Sequence, residues 1–214
     1  MIPVDLLMFD LDGTLIDSRK DLADSVNRTF REIGIPEKPR ETLYGYVGNG
    51  VRRLISDAVG DRGPSLVERA HAVFQRHYLE HLLDETRIYP GMPDVLDHFS
   101  KKKKAVVTNK PVVYTTRILL GLSVNTRFDL VVAGEDSSPL KPHPEMILRA
   151  LRHFGVSSDR AVMIGDSVND IRAARDAGVR SCAVGYGIGD PEELKRAGPD
   201  LFSETVRDLT RLFC

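Results

Sequence analysis

Five short apolar runs, Val4–Phe9, Ala105–Thr108, Leu130–Ala133, Ala161–Ile164 and Ser181–Val184, constrain the fold more than any other feature of the chain. Each is continuous rather than alternating, the pattern of a strand buried on both faces. Between them lie segments with readable helical ends. Pro111 to Leu120 stops at Gly121, Pro144 to Phe154 at Gly155, and Val168 to Ala177 at Gly178. Strand alternating with helix means βαβ units, and right-handed crossovers gather the strands into one parallel sheet. The expected class is α/β, with a three-layer Rossmann-like core.

One interval breaks this rhythm. From Ser18 to about Tyr89 no buried strand is legible, and a gap of about seventy residues far exceeds a βα loop of roughly 2–6. Leu22, Val26, Phe30 and Ile33 recur at helical spacing and end at Gly34; Val51 to Val59 and Ser65 to Leu83 read as further helices. The expected organisation is an α/β core over 1–17 and 88–214 with a helical domain inserted over 18–87. Pro90, Gly91 and Pro93 in "IYPGMPDVL" mark the return.

Thirty basic residues against thirty-one acidic ones leave a net charge of -1, so no polycation invites nucleic acid or a membrane surface. The "SKKKK" run at 100–104 reads as a solvated turn before a strand. Cys182 and Cys214 have no CxxC or histidine spacing, which argues against zinc and against a disulfide framework. The N-terminus lacks the basic region and apolar length of a signal peptide, and no run approaches the ~20 apolar residues of a membrane span. A cytoplasmic monomer or homodimer is expected.

In a parallel sheet, ligands gather beyond the carboxyl ends of the strands. The residues that fall there are Asp10, Asp12, Gly13 and Thr14 after the first strand, Thr108 and Asn109 at the second, Lys141 before the next helix, and Asp166 and Asp170 after the fourth. Asp10 and Asp12 lie two apart on extended chain and point to one side. With Asp166 and Asp170 they concentrate up to four negative charges, which requires a compensating cation. The donors are all oxygen, which selects a hard ion, Mg²⁺ first. Lys141, the Thr108 hydroxyl and nearby backbone N–H groups suit a phosphate. A carboxylate beside both can attack phosphorus and form an aspartyl phosphate.

The stretches "FDLDGT", "VTN", "KPHP" and "GDSVND" resemble the four motifs of the haloacid dehalogenase superfamily, and the insertion resembles its α-helical cap. The resemblance spans residues 5 to about 190. A lysine-rich entry to the second strand departs from the family's longer, glycine-bearing turn without touching a catalytic position. The resemblance implies that Asp10 is nucleophile and metal ligand, and that Asp12 ligates the metal through its carbonyl and serves as general acid, then base. It implies that Thr108 and Lys141 hold the phosphoryl oxygens with Asn109 behind them, that Thr14 steadies the loop, and that Asp166 binds the metal with Asp170 on it directly or through water.

Substrate choice is expected in the inserted domain. Within the family, "YGYVGNGVRRLI", "VVTNKP" and "GYG" resemble phosphoglycolate phosphatases. Gly48, Asn49 and Gly50 allow close backbone approach, and Arg53 suits a carboxylate, which fits a small phosphorylated metabolite such as 2-phosphoglycolate. The alternatives are a sugar-phosphate mutase or pyrophosphatase of the same superfamily, or a receiver-like phosphoryl switch. His77 and His81, four apart, read as surface histidines rather than a metal pair. His143 is as well explained by loop packing as by the site, and "GYGIG" at 185–189 reads as a plain turn, not a dinucleotide loop.

Overall fold

The computed structural model describes residues 1–135 and 139–214. Strand β1 (Leu6–Phe9) is central and buried along its whole length. Leu7 and Phe9 enter one hydrophobic cluster and Leu6 and Met8 the other, so consecutive side chains feed opposite faces of the sheet. That is why the run carries no alternation.

Six strands form one sheet. Besides β1 they are β4 (Lys103–Pro111), β5 (Leu130–Gly134), β6 (Ala161–Gly165), β7 (Arg180–Val184) and β8 (Leu201–Ser203), in the order β5-β4-β1-β6-β7-β8. All neighbouring pairs are parallel. The order reverses at β1, which has β4 on one side and β6 on the other, so the crevice beyond its carboxyl end is the topological switch point. The edge strand β8 escapes sequence reading because it is three residues long and its Leu201 and Phe202 are only half-buried. The lysine run is also less exposed than expected. Lys104 is buried, and its ammonium donates to the carbonyls of Phe99 (3.0 Å) and Lys102 (3.2 Å).

Between β1 and β4 the chain departs through β2 (Ile16–Asp17) and returns through β3 (Arg87–Ile88), which pair antiparallel. The intervening helices are α1 (Arg19–Ile33), α2 (Arg40–Tyr44), α3 (Val51–Val59) and α4 (Pro64–His81). Helix α1 turns Leu22, Val26, Phe30 and Ile33 inward and ends at Gly34, whose φ of 77° is the left-handed conformation glycine adopts without penalty. Helix α2 has one buried side chain, Leu43, too little for a periodic signal. On α4, Phe74 stacks on Tyr78 (5.3 Å between centroids), and Tyr78 meets Tyr114 of α6 (Val112–Gly121) edge-on at 5.0 Å. This joins the insertion to the core.

The flanking helices include α5 (Met92–His98), α7 (Glu145–Phe154) and α8 (Val168–Asp176), with the shorter α9 (Pro191–Arg196) and α10 (Leu209–Leu212) near the C-terminus. Among the described residues, no helix is long and apolar enough to cross a membrane.

The returning chain just before β3 is held by Asp21 of α1. Its buried carboxylate accepts the N–H groups of Glu85 (2.9 Å) and Thr86 (2.8 Å). Asp21→Ala strands those donors, and we expect a loss of about 3 kcal/mol, read as a lowered urea midpoint with an unchanged slope. A midpoint within error of the wild type would show that the clamp contributes nothing.

Candidate active site

The chain leaves β1 into a tight loop. The N–H groups of Leu15 and Ile16 return to the carbonyl of Leu11 at 3.0 and 3.1 Å. Gly13, at φ +81°, is indispensable there: a Cβ would fall 1.9 Å from Oδ2 of Asp166. The bend leaves Asp10, itself buried, facing β6 and β4. Its Oδ1 accepts the Leu11 N–H at 2.7 Å.

Lys141 stands opposite. Its Nζ donates to the Val107 carbonyl (2.6 Å) and to Oδ1 of Asp170 (2.6 Å), and lies 3.0 Å from Oδ1 of Asp10. The lysine is placed by Asn109, whose side-chain amide exchanges two hydrogen bonds with the Lys141 backbone at 2.8 Å each. Asn109 also reaches the Gly48 carbonyl of the insertion (3.4 Å). Beside it, the buried Thr108 presents Oγ1, which accepts the Lys110 N–H at 3.2 Å.

Asp170 belongs to a helix capping box and also borders Asp10 and Asp166. Ser167 caps α8, and its N–H and Oγ donate to Oδ2 of Asp170 at 3.0 and 2.7 Å, closing a capping box while Oδ1 faces Lys141. With both oxygens engaged, Asp170 stands behind the lysine. Asp166 is held from three directions. Oγ1 of Thr14 donates to its Oδ1 (3.0 Å), and the N–H groups of Ile188 (2.9 Å) and Gly189 (3.2 Å) donate to Oδ2.

The "GYGIG" stretch is therefore part of the site and not a plain turn. A Cβ on Gly187 would come within 2.4 Å of Asp166 Cβ, and one on Gly189 within 1.9 Å of the Asp166 carbonyl. The signal missed in the sequence was the glycine pair at 187 and 189, which permits close backbone approach.

One carboxylate oxygen from each of Asp10, Asp166 and Asp170 lies within 4.8 Å of the others, all three residues buried. Burial pushes Asp10 up to about 6 against the opposing pull of Lys141. Burial, with repulsion from Asp10 and Asp170, pushes Asp166 up to about 7. For Lys141, burial opposes the charge, but Asp10 and Asp170 outweigh it and hold the ammonium above its ordinary range. One lysine among three buried acids leaves a negative excess, and the oxygen-only donor set matches a hard divalent ion.

Asp12 turns away from this cluster. Its carboxylate accepts from Ser18 Oγ and from Nζ of Lys110, the latter at 2.9 Å to Oδ1 and 3.0 Å to Oδ2. Lys110 is buried and also donates to the Tyr78 hydroxyl (2.6 Å). Sequence reasoning missed Lys110 because a lysine following a strand normally reads as solvated, and its partners lie 32 and 98 residues away.

Of the expected site residues, Asp10, Asp12, Thr14, Thr108, Asn109, Lys141, Asp166 and Asp170 converge at the rim, and Gly48 closes over them. Asn49 sits further out, its Oδ1 accepting from Asn169 of α8 at 2.7 Å. Arg53 is not brought in: it is 66% exposed and paired with Asp57 at 2.9 Å. His77 and His81 each face a separate acid, Glu32 and Asp84. Nδ1 of His143 accepts the Glu145 N–H (3.2 Å) at the start of α7.

The haloacid dehalogenase-like hydrolase family model matches residues 7–184. A phosphoglycolate phosphatase of Colwellia psychrerythraea is 34% identical over 97% of each chain. One of Nitrosospira multiformis is 33% identical over 99% of this chain and 96% of its own. The crystal structure of a predicted phosphoglycolate phosphatase from Haemophilus somnus superposes with a TM-score of 0.91, at 27% identity and 99% coverage of both chains. The chain belongs to the haloacid dehalogenase-like hydrolases and is a phosphatase.

The raised carboxyls have a consequence for stability. In metal-free protein, the folded state keeps protons on Asp10 and Asp166 that the unfolded chain releases near 3.8. Their contribution is complete below that pH and is lost as pH rises toward 7. The melting temperature in chelator should therefore fall between about pH 5 and about pH 7.5, and Mg²⁺ should raise it more at the higher pH. Asp166→Asn should flatten the slope, while a flat wild-type profile would contradict the assignment.

Proposed function

We propose that the protein hydrolyses a small phosphate monoester through an aspartyl-phosphate intermediate, with 2-phosphoglycolate its preferred substrate. The observation that carries this reading is the buried trio Asp10, Asp166 and Asp170, crossed by Lys141 at the switch point of the sheet. The relatives named phosphoglycolate phosphatase, matched over 97% of the chain, support the substrate.

Asp10 attacks phosphorus through a carboxylate oxygen as the ester P–O bond breaks. Asp12 gives its proton to the departing alkoxide and later takes one from the water that attacks the phosphoenzyme. The water's oxygen joins phosphorus, inorganic phosphate leaves and Asp10 is regenerated. The Thr108 hydroxyl and the Lys141 ammonium are placed to meet the non-bridging phosphoryl oxygens, and Asn109 holds that lysine in register. Mg²⁺ fits the oxygen-only donors Asp10, Asp166 and the Asp12 carbonyl, with Asp170 behind Lys141, and supplies neutralisation of phosphoryl charge.

The helical insertion acts as a cap. The cavity between it and Asp10 measures about 30 Å³, room for one or two waters, and a neighbouring cavity of about 480 Å³ shares Asp12 and Gly48 with it and reaches Asp166. A cap in this position excludes bulk water from Asp10 during transfer.

Released phosphate measures the reaction directly. Asp10→Asn should reduce turnover by at least about 10³-fold with the fold intact by circular dichroism. Appreciable residual turnover would remove Asp10 as the nucleophile. Chelation should stop turnover and Mg²⁺ restore it, whereas Ca²⁺, with its looser coordination, should not. Asp12→Ala should slow alkyl phosphates much more than p-nitrophenyl phosphate, because only the poor leaving group needs the proton. Equal slowing would refute the acid role.

A further inference from the structure

The cavity over Asp10 poses a problem that Arg53 does not solve. Leu22, Val47, Val51 and Leu54 give its cap side an apolar surface. Among the described residues that line it, Lys110 is the one cation. Its three donors are spent on the two oxygens of Asp12 and on the Tyr78 hydroxyl. Tyr78 is fully buried between Phe74 and Tyr114, so the ammonium has a fixed anchor on the side away from Asp12.

We propose that Lys110 recognises a carboxylate on the leaving group and, in accepting it, releases Asp12 to face the ester oxygen. This deepens the phosphomonoesterase reading and rests on it. Asp12 is held by Lys110 and Ser18 at once, so it must give up contacts before it can serve a substrate. Turning it away alone leaves a buried ammonium without its counter-charge, which is strongly unfavourable. A substrate carboxylate removes that cost by exchanging one anion for another.

The geometry favours a carboxylate close to the ester oxygen. The group that protonates that oxygen and the group that holds the carboxylate must be neighbours, and Asp12 and Lys110 are 2.9 Å apart. In 2-phosphoglycolate one methylene separates the two functions. A neutral alkyl phosphate offers Lys110 nothing, so discrimination falls on the step in which Asp12 moves and not on phosphate binding alone.

The test compares kcat/KM for 2-phosphoglycolate and isobutyl phosphate, its neutral counterpart in shape and size, in the whole chain with Mg²⁺. Wild type should prefer the acid by about 100-fold, the scale of one buried charge pair. Lys110→Met should bring the ratio to within about threefold of unity, and Lys110→Arg should keep part of the preference. The ratio is taken on one preparation, so any loss of folded protein cancels. If both substrates slow equally in Lys110→Met, Lys110 only positions Asp12 and the proposal is overturned. If neither substrate slows in that variant, carboxylate recognition lies elsewhere and the proposal is overturned as well. A wild type that releases phosphate from p-nitrophenyl phosphate without preferring the acid overturns this inference and leaves the phosphatase reading standing. A wild type that hydrolyses no ester brings down both.

Discussion

The ammonium of Lys141, set between Asp10, Asp170 and the carbonyl of Val107, is the interaction on which the site depends. Acids that repel one another in a dry crevice would otherwise neutralise or pull the strand ends apart. Its three contacts come from the loop after β1, from α8 and from β4, so a single charge ties together segments far apart in sequence. Removing it would leave two buried carboxylates without their counter-charge.

The parallel sheet makes this economical. Its strands end at one rim, and reversal of strand order at β1 opens the crevice into which Asp10 projects. The same residues then serve the fold and the chemistry together. Asp170 caps α8 and orients Lys141, Asn109 spans from β4 to the Lys141 loop, and the backbone at 188–189 fixes Asp166. Asp170 is a first-turn acid and also lies within the acid cluster, because helix start and crevice share one place.

What the sequence made legible follows from range. Continuous apolar runs and helix-ending glycines report local burial and backbone geometry, so five strands and the main helices were readable. The rim acids were readable because each strand end carried its own polar motif. Lys110 was not, since burial of a lysine depends on Asp12 and Tyr78, brought close only by the tertiary fold. The loop at 185–189 looked like a turn because its function lies in backbone N–H groups, which no side chain announces. Arg53 shows the converse error: its chemistry suited a carboxylate, but α3 points it at Asp57 and solvent.

Asp21 fastens the start of α1 to the returning chain, while β2 and β3 pair through Ile16 with Ile88 and Asp17 with Arg87. Two separate tethers would let the helices above them twist and slide as well as tilt. A laced pair of short strands ties the two ends of the insertion to each other, so they cannot shift independently. Gly48 and Val51 line the cavity with Asp10, so the place of the insertion over the site is set by the chain's own tethers rather than by a substrate.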